Sequence, residues 1–96
     1  MKKFVFLYYG MWTPTQEMKD AWGKWFASIA DKLVDSGNPF GPGREITHTG
    51  TKELSQDKEA IVGYSIINAE SMAEAEKIAK ACPIITSVRV YEAMSM

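Results

Sequence analysis

The single histidine is the first place to look for chemistry, because histidine is the side chain that exchanges a proton near neutral pH. His48 lies between Thr47 and Thr49 in a mostly polar stretch. It could act as a general base, but we interpret it as a solvated side chain on an edge strand. One histidine without an acidic pattern beside it does not specify a metal site either. We therefore expect His48 to be dispensable.

The one cysteine, Cys82, comes directly before Pro83 at the expected end of a helix. The helix dipole at that end would raise the pKa of the thiol, which opposes a role as nucleophile. Its place on an apolar stripe instead predicts a small core residue. A lone cysteine also allows no intramolecular disulfide and no cysteine-based metal site.

Aromatic residues are concentrated in this chain, with three Trp, four Tyr and four Phe. At helical spacing they predict core packing, and several near one helix–sheet seam could also wall an apolar pocket. Arg44 and Arg89 are the only arginines. In mid-strand, Arg89 would need a carboxylate partner from another chain or from an anionic ligand. The candidate pocket residues are therefore Tyr8, Tyr9, Trp12, Trp25, Arg44, His48, Tyr64 and Arg89.

The composition is that of one globular domain over residues 1–96, with 46% hydrophobic and 24% charged residues. The net charge is -1, and this lack of a basic excess argues against a nucleic-acid partner. Lys2 and Lys3 precede an apolar run too short for a signal peptide, and no run approaches the ~20 residues of a membrane helix. We expect a soluble, cytoplasmic protein with no membrane partner.

The pattern along the chain alternates apolar runs with helical stripes. A helix is predicted where apolar residues recur at helical spacing from Met18 to Val34, before Gly37. The second helix begins with the capping box Ser71–Glu74 and ends at Pro83. The predicted elements are strand 4–9, helix 15–36, loop 38–44, weak strand 45–50, loop 51–59, strand 60–69, helix 71–82 and strand 84–92.

This order, βαββαβ, is typical of a ferredoxin-like α+β fold. Its four antiparallel strands would lie in the order 4-1-3-2, with both helices on one face. The two most apolar strands then become central neighbours, and the polar strand 45–50 falls at an edge. Because strands 4–9 and 60–69 are apolar on both faces, the second face would form a large exposed patch. A two-fold homodimer with its sheets face to face would cover it.

Four segments resemble the YCII-related family: Asn38-Pro-Phe-Gly-Pro-Gly-Arg44, Gly63-Tyr-Ser-Ile-Ile-Asn-Ala-Glu-Ser-Met72, Ala79-Lys-Ala-Cys-Pro83 and Val88-Arg-Val-Tyr-Glu-Ala93. The resemblance implies a ferredoxin-like fold and a dimeric α/β barrel. Most members of the family have no assigned function. Better-studied branches are thought to use a His–Asp pair, and that histidine would fall near Phe26 in this chain. The first helix holds no histidine, so the pair cannot be carried over.

Two functions follow as hypotheses. The first is a small dimeric binding or structural domain with an aromatic-lined pocket for a small organic ligand. The alternative, which the resemblance to the wider barrel superfamily implies, is an enzyme of lyase, isomerase or monooxygenase type that acts on a small aromatic or carboxylic substrate. Neither hypothesis calls for a cofactor.

Overall fold

The computed structural model describes residues 1–10, 15–83 and 86–95. Trp12 therefore lies outside the described residues. The elements in chain order are β1 (Lys2–Tyr9), α1 (Gln16–Ser28), β2 (Leu33–Asp35), β3 (Arg44–Thr47), β4 (Gly50–Glu53), β5 (Ile61–Ala69), α2 (Met72–Lys80) and β6 (Ser87–Ala93).

Strands β2, β5, β1 and β6 form one antiparallel sheet in that order. Counted as the four strands of the predicted pattern, this is the order 4-1-3-2. The apolar strands β1 and β5 are its central pair, with Phe6 opposite Ser65 on one side and Val90 on the other. The chain therefore has the ferredoxin-like α+β fold that the sequence predicted.

The second strand of this sheet is not the predicted one. The predicted helix 15–36 is wrong beyond Ser28, since the chain turns at 29–32 and Leu33–Asp35 pairs with β5. Helical spacing continues through Ile29 and Leu33, so the local pattern fits both structures. Pairing with β5 makes this segment a strand, because the segment satisfies backbone groups at the edge of β5. One example is the Asn68 N–H, which donates to the Lys32 carbonyl at 2.8 Å.

The polar segment 45–50 does not join the four-stranded sheet, so its assignment as the edge strand is also wrong. Strand β3 pairs with β4 in a separate two-stranded hairpin, which also replaces part of the predicted loop 51–59. Every residue of these two strands is exposed, including Ile46 at 79%. The segment has no apolar face to bury, so it lies outside the core.

Local caps begin both helices. The Thr15 hydroxyl accepts a hydrogen bond from the Met18 N–H, and the Ser71 hydroxyl accepts one from the Glu74 N–H. The second contact is the cap predicted from the sequence. Helix α2 ends at Lys80 with Ala81 as its C-cap, shortly before Pro83.

The core lies between the helices and one face of the sheet. Phe4, Phe6 and Ile67 are fully buried there, facing Trp25 of α1 and Ala79 of α2. The indole N–H of Trp25 donates to the Ile78 carbonyl at 3.2 Å and so ties one helix to the other. Cys82 is buried in the same cluster, and burial raises the pKa of its thiol to about 11. It is therefore a core residue, as predicted.

The opposite face of the sheet carries a second set of apolar side chains. Val5, Leu7 and Ile66 are half-buried, and Tyr91 is 53% exposed. The molecule measures 41 × 40 × 18 Å along its principal axes. The shortest dimension is the thickness of one sheet and one helical layer. No helix among the described residues has the length and apolar character needed to cross a bilayer.

Candidate functional site

A cavity of about 390 Å³ lies between α1 and the ends of β1 and β5. Aromatic rings dominate its surface, and the turn after β2 closes one side. Its lining residues are Tyr8, Lys19, Trp22, Gly23, Phe26, Ser36, Gly37, Asn38, Pro39, Val62, Gly63 and Tyr64. A volume of this size is within the usual range of small-molecule sites.

Helix α1 contributes one stripe of side chains to the cavity. Lys19, Trp22, Gly23 and Phe26 are spaced by three, one and three residues, so they share a helical face. Gly23 is exposed in mid-helix, and a Cβ built on it meets no described atom within 4 Å. Glycine costs about 1 kcal/mol relative to alanine at such a position. Nothing in the packing requires glycine there, and its absent side chain leaves the cavity open.

The rings form a contiguous wall. The Tyr8 and Trp22 rings meet edge to face with centroids 4.9 Å apart, and Trp22 lies 5.8 Å from Phe26. Trp22 also contacts the buried Trp25 edge to face at 5.6 Å. Because the wall is anchored to the core through Trp25, the cavity is preformed. The indole N–H of Trp22 is buried and has no hydrogen-bond partner among the described residues.

A buried hydrogen-bond chain fixes the Tyr8 hydroxyl. It donates to the Ser65 hydroxyl at 2.8 Å, and Ser65 donates to the Ser36 carbonyl at 2.8 Å. Burial raises the pKa of the Tyr8 phenol well above its usual range, so this group is neutral at ordinary pH. Since its proton is directed at Ser65, the Tyr8 oxygen keeps lone pairs for another donor.

The turn after β2 is held by Asp35. One carboxylate oxygen accepts the Gly37 N–H at 2.8 Å, and the other accepts the Tyr64 hydroxyl at 3.0 Å. Gly37 has φ 81°, and a Cβ there would collide with the Tyr64 carbonyl oxygen. Pro39 bridges to Gly63, where a Cβ would stand 3.3 Å from the Asn38 carbonyl oxygen.

A second depression lies on the other face of the sheet, with a volume of about 730 Å³. There the Arg89 guanidinium sits 4.5 Å from the centre of the Tyr9 ring, a cation–π contact. Phe40, Leu54 and Glu59 line the same depression.

The predicted pocket residues are thus divided among several places. Tyr8 lines the first cavity, and Tyr64 borders it, but the Tyr64 ring stacks on Phe40 with centroids 5.5 Å apart on the open face of the sheet, opposite the core. Tyr9 and Arg89 share the second depression. Trp25 is a core residue at 5% exposure. Arg44 and His48 lie in the exposed hairpin, Arg44 in β3 and His48 in the turn that follows it, and they line neither cavity.

The predicted pocket residues omitted most of the observed lining, including Lys19, Trp22, Gly23 and Phe26. Helical spacing instead favours core packing for the aromatic residues of α1. The predicted residues also omitted Asp35, which holds the turn beside the cavity. For Asp35 a signal existed, because an aspartate two residues before glycine is typical of a turn in which the carboxylate accepts that N–H. Lys19 and Gly23 look like ordinary surface positions. Among the described residues, no group of three or more His, Cys, Asp or Glu side chains is placed to hold a metal ion.

The family model of the YCII-related domain matches residues 4–96. Among solved structures, the chain is similar to 5-chloro-2-hydroxyhydroquinone dehydrochlorinase (TftG) from Burkholderia phenoliruptrix AC1100 in complex with 2,5-dihydroxybenzoquinone. The TM-score is 0.56 with 14% sequence identity, and the match covers 96% of this chain and 93% of the other. At that identity the likeness shows a shared fold. No curated protein sequence matches the chain.

Proposed function

Because the chain belongs to the YCII-related domain family, whose model matches residues 4–96, we propose that it is a small-molecule-binding protein whose cavity takes a flat aromatic ring. The observation that carries the proposal is the preformed cavity of about 390 Å³ between α1 and the sheet, walled by the rings of Tyr8, Trp22 and Phe26. Flat rings gain most from stacking and edge contacts with such walls. The dehydrochlorinase of similar fold is described with a flat hydroxylated quinone, which agrees in shape.

The polar groups around the cavity favour binding over acid–base catalysis. A catalytic acid or base works best with a pKa near the working pH. Among the described lining residues, the ionisable groups are Tyr8, Tyr64 and Lys19. Burial keeps Tyr8 protonated, and its hydroxyl is already committed to Ser65. The one histidine, His48, lies in the exposed hairpin.

An enzyme that needs no cofactor is the second candidate, and the dehydrochlorinase of similar fold is the observation that favours it. It would act on a small aromatic substrate at the same cavity. Turnover of a bound ring compound by the purified protein would replace the binding proposal with this one.

A cavity-filling substitution tests the binding proposal. We expect naphthol to bind the unaltered protein in calorimetry and to lose that binding in Gly23→Leu, because the new side chain enters the open cavity. Ala27→Leu is the matched control, since Ala27 is exposed on the same helix and does not line the cavity. Full naphthol binding by Gly23→Leu would overturn the proposed site.

We further propose that a second copy of this chain covers the open face of the sheet. Val5 and Leu7 make this face apolar. The second depression on the same face carries both signs of charge, because Arg89 and Glu59 line it. A surface that holds both signs can be complementary to itself under two-fold symmetry. In-plane dimensions of 41 and 40 Å leave room for the roughly 800 Å² per partner of a standard interface.

We also propose a cytoplasmic location. Cys82 is a free, buried cysteine, which suits a reducing compartment.

A further inference from the structure

The geometry points to an aromatic carboxylate as the ligand of this cavity, with the Lys19 ammonium pairing with its carboxylate. This inference rests on the proposed binding function and names the chemical class of the ligand.

The described lining carries one formal charge, and it is positive. Besides Lys19, the lining within the described ranges contains no Asp, Glu, Arg or His residue. Asp35 does not line the cavity, and its two carboxylate oxygens already accept hydrogen bonds from the Gly37 N–H and the Tyr64 hydroxyl. Lys19 is exposed, so its charge attracts an entering anion with the modest strength of a surface ion pair.

Lys19 also has no carboxylate partner within the described part of the chain. The described ion pairs join Lys32 to Glu74, Lys52 to Glu45 and Lys80 to Glu76. On α1, the positions three and four residues from Lys19 are Thr15, Gln16, Trp22 and Gly23, none of them acidic. Asp20, the next residue, accepts a hydrogen bond from the Gln16 amide at 2.9 Å instead.

The position of Lys19 suits a ligand with a ring and a carboxylate at opposite ends. Lys19 lies one helical turn before Trp22 and Gly23, about 5 Å along the axis. A ring that enters beside Gly23 contacts Trp22 and Phe26, and its substituent then lies within the reach of the flexible lysine stem. A carboxylate there replaces its water shell with a charge-assisted hydrogen bond.

The test compares naphthoate with naphthamide, two flat probes of nearly the same shape that differ in charge. We expect calorimetry to give about fivefold tighter binding of naphthoate, the upper end for an exposed ion pair. Lys19→Met keeps the aliphatic stem and should bring the ratio of naphthoate to naphthamide affinity to about one. Lys24→Met is the control and should keep the preference, because Lys24 is exposed on α1 and does not line the cavity.

Each contrary result identifies what has failed. Equal affinities for the two probes would overturn the carboxylate inference and leave the aromatic cavity in place. A naphthoate preference that survives in Lys19→Met, or that disappears in Lys24→Met, would overturn the role of Lys19. If neither probe binds and naphthol does not bind either, the proposed function fails together with this inference.

Discussion

The Asp35 carboxylate accepts a hydrogen bond from the Tyr64 hydroxyl at 3.0 Å, and so joins the edge strand β2 to the central strand β5 through side chains. The same carboxylate holds the N–H of Gly37 at 2.8 Å. One short acidic side chain therefore fixes both the Tyr64 ring on the open face of the sheet and the turn beside the cavity.

Replacing this carboxylate should loosen the cavity at modest cost in stability. Because Asp35 is exposed, we expect Asp35→Ala to lower the free energy of unfolding by about 1 kcal/mol. Tyr64→Phe removes one of the two hydrogen bonds and should cost about half as much. Urea denaturation measures both. An Asp35→Ala protein as stable as the unaltered one would show that these hydrogen bonds do not hold the turn.

The aromatic residues of α1 should differ in their contributions to stability. Trp25 is 5% exposed and donates to the Ile78 carbonyl, so Trp25→Ala should cost about 3–5 kcal/mol. Trp22 is only partly buried and borders the cavity, and Trp22→Ala should cost less, about 1–3 kcal/mol. Chemical denaturation provides the comparison. Equal losses for the two variants would mean that Trp22 is as deeply packed as Trp25.

Alkaline pH should destabilise the fold through Cys82 and Tyr8. Burial raises the pKa of Cys82 from 9.0 to about 11, and it raises that of Tyr8 above its ordinary 10.0. The folded protein therefore retains protons that the unfolded chain releases, so stability is complete below about pH 9 and falls as the pH rises further.

The loss from Cys82 should approach about 2–3 kcal/mol by pH 11, and Cys82→Ala should remove that part of the pH dependence. Denaturation at a series of pH values measures it. A free energy of unfolding that stays constant between pH 8 and pH 11 would contradict the burial of both groups.

The proposed dimer predicts two chains per particle in sedimentation at about ten micromolar. Leu7→Asp places a charge on the open face and should yield monomers, because Leu7 is half-buried on the face we assign to the second copy. Ile46→Asp is the control, since Ile46 is 79% exposed in the hairpin. A monomer at this concentration without any substitution would contradict the proposed pairing.

The sequence could predict the sheet order because β1 and β5 are its most apolar runs and must be central. It could not predict β2, since Ile29 and Leu33 keep helical spacing and the competing interaction, pairing with Ile67, lies far away in sequence. Tyr8 and Tyr64 were identifiable as aromatics of central strands. Lys19 and Gly23 were not, because their role depends on where α1 overhangs the sheet.

The protein side chains that contact a bound ring would show whether an aromatic ligand occupies the cavity between α1 and the sheet. Nuclear Overhauser effects between naphthol protons and the side chains of the protein would locate the ligand. We expect contacts with the rings of Tyr8, Trp22 and Phe26, which line the cavity between α1 and the sheet. Contacts confined to Leu7 and Tyr91 on the open face would contradict this expectation.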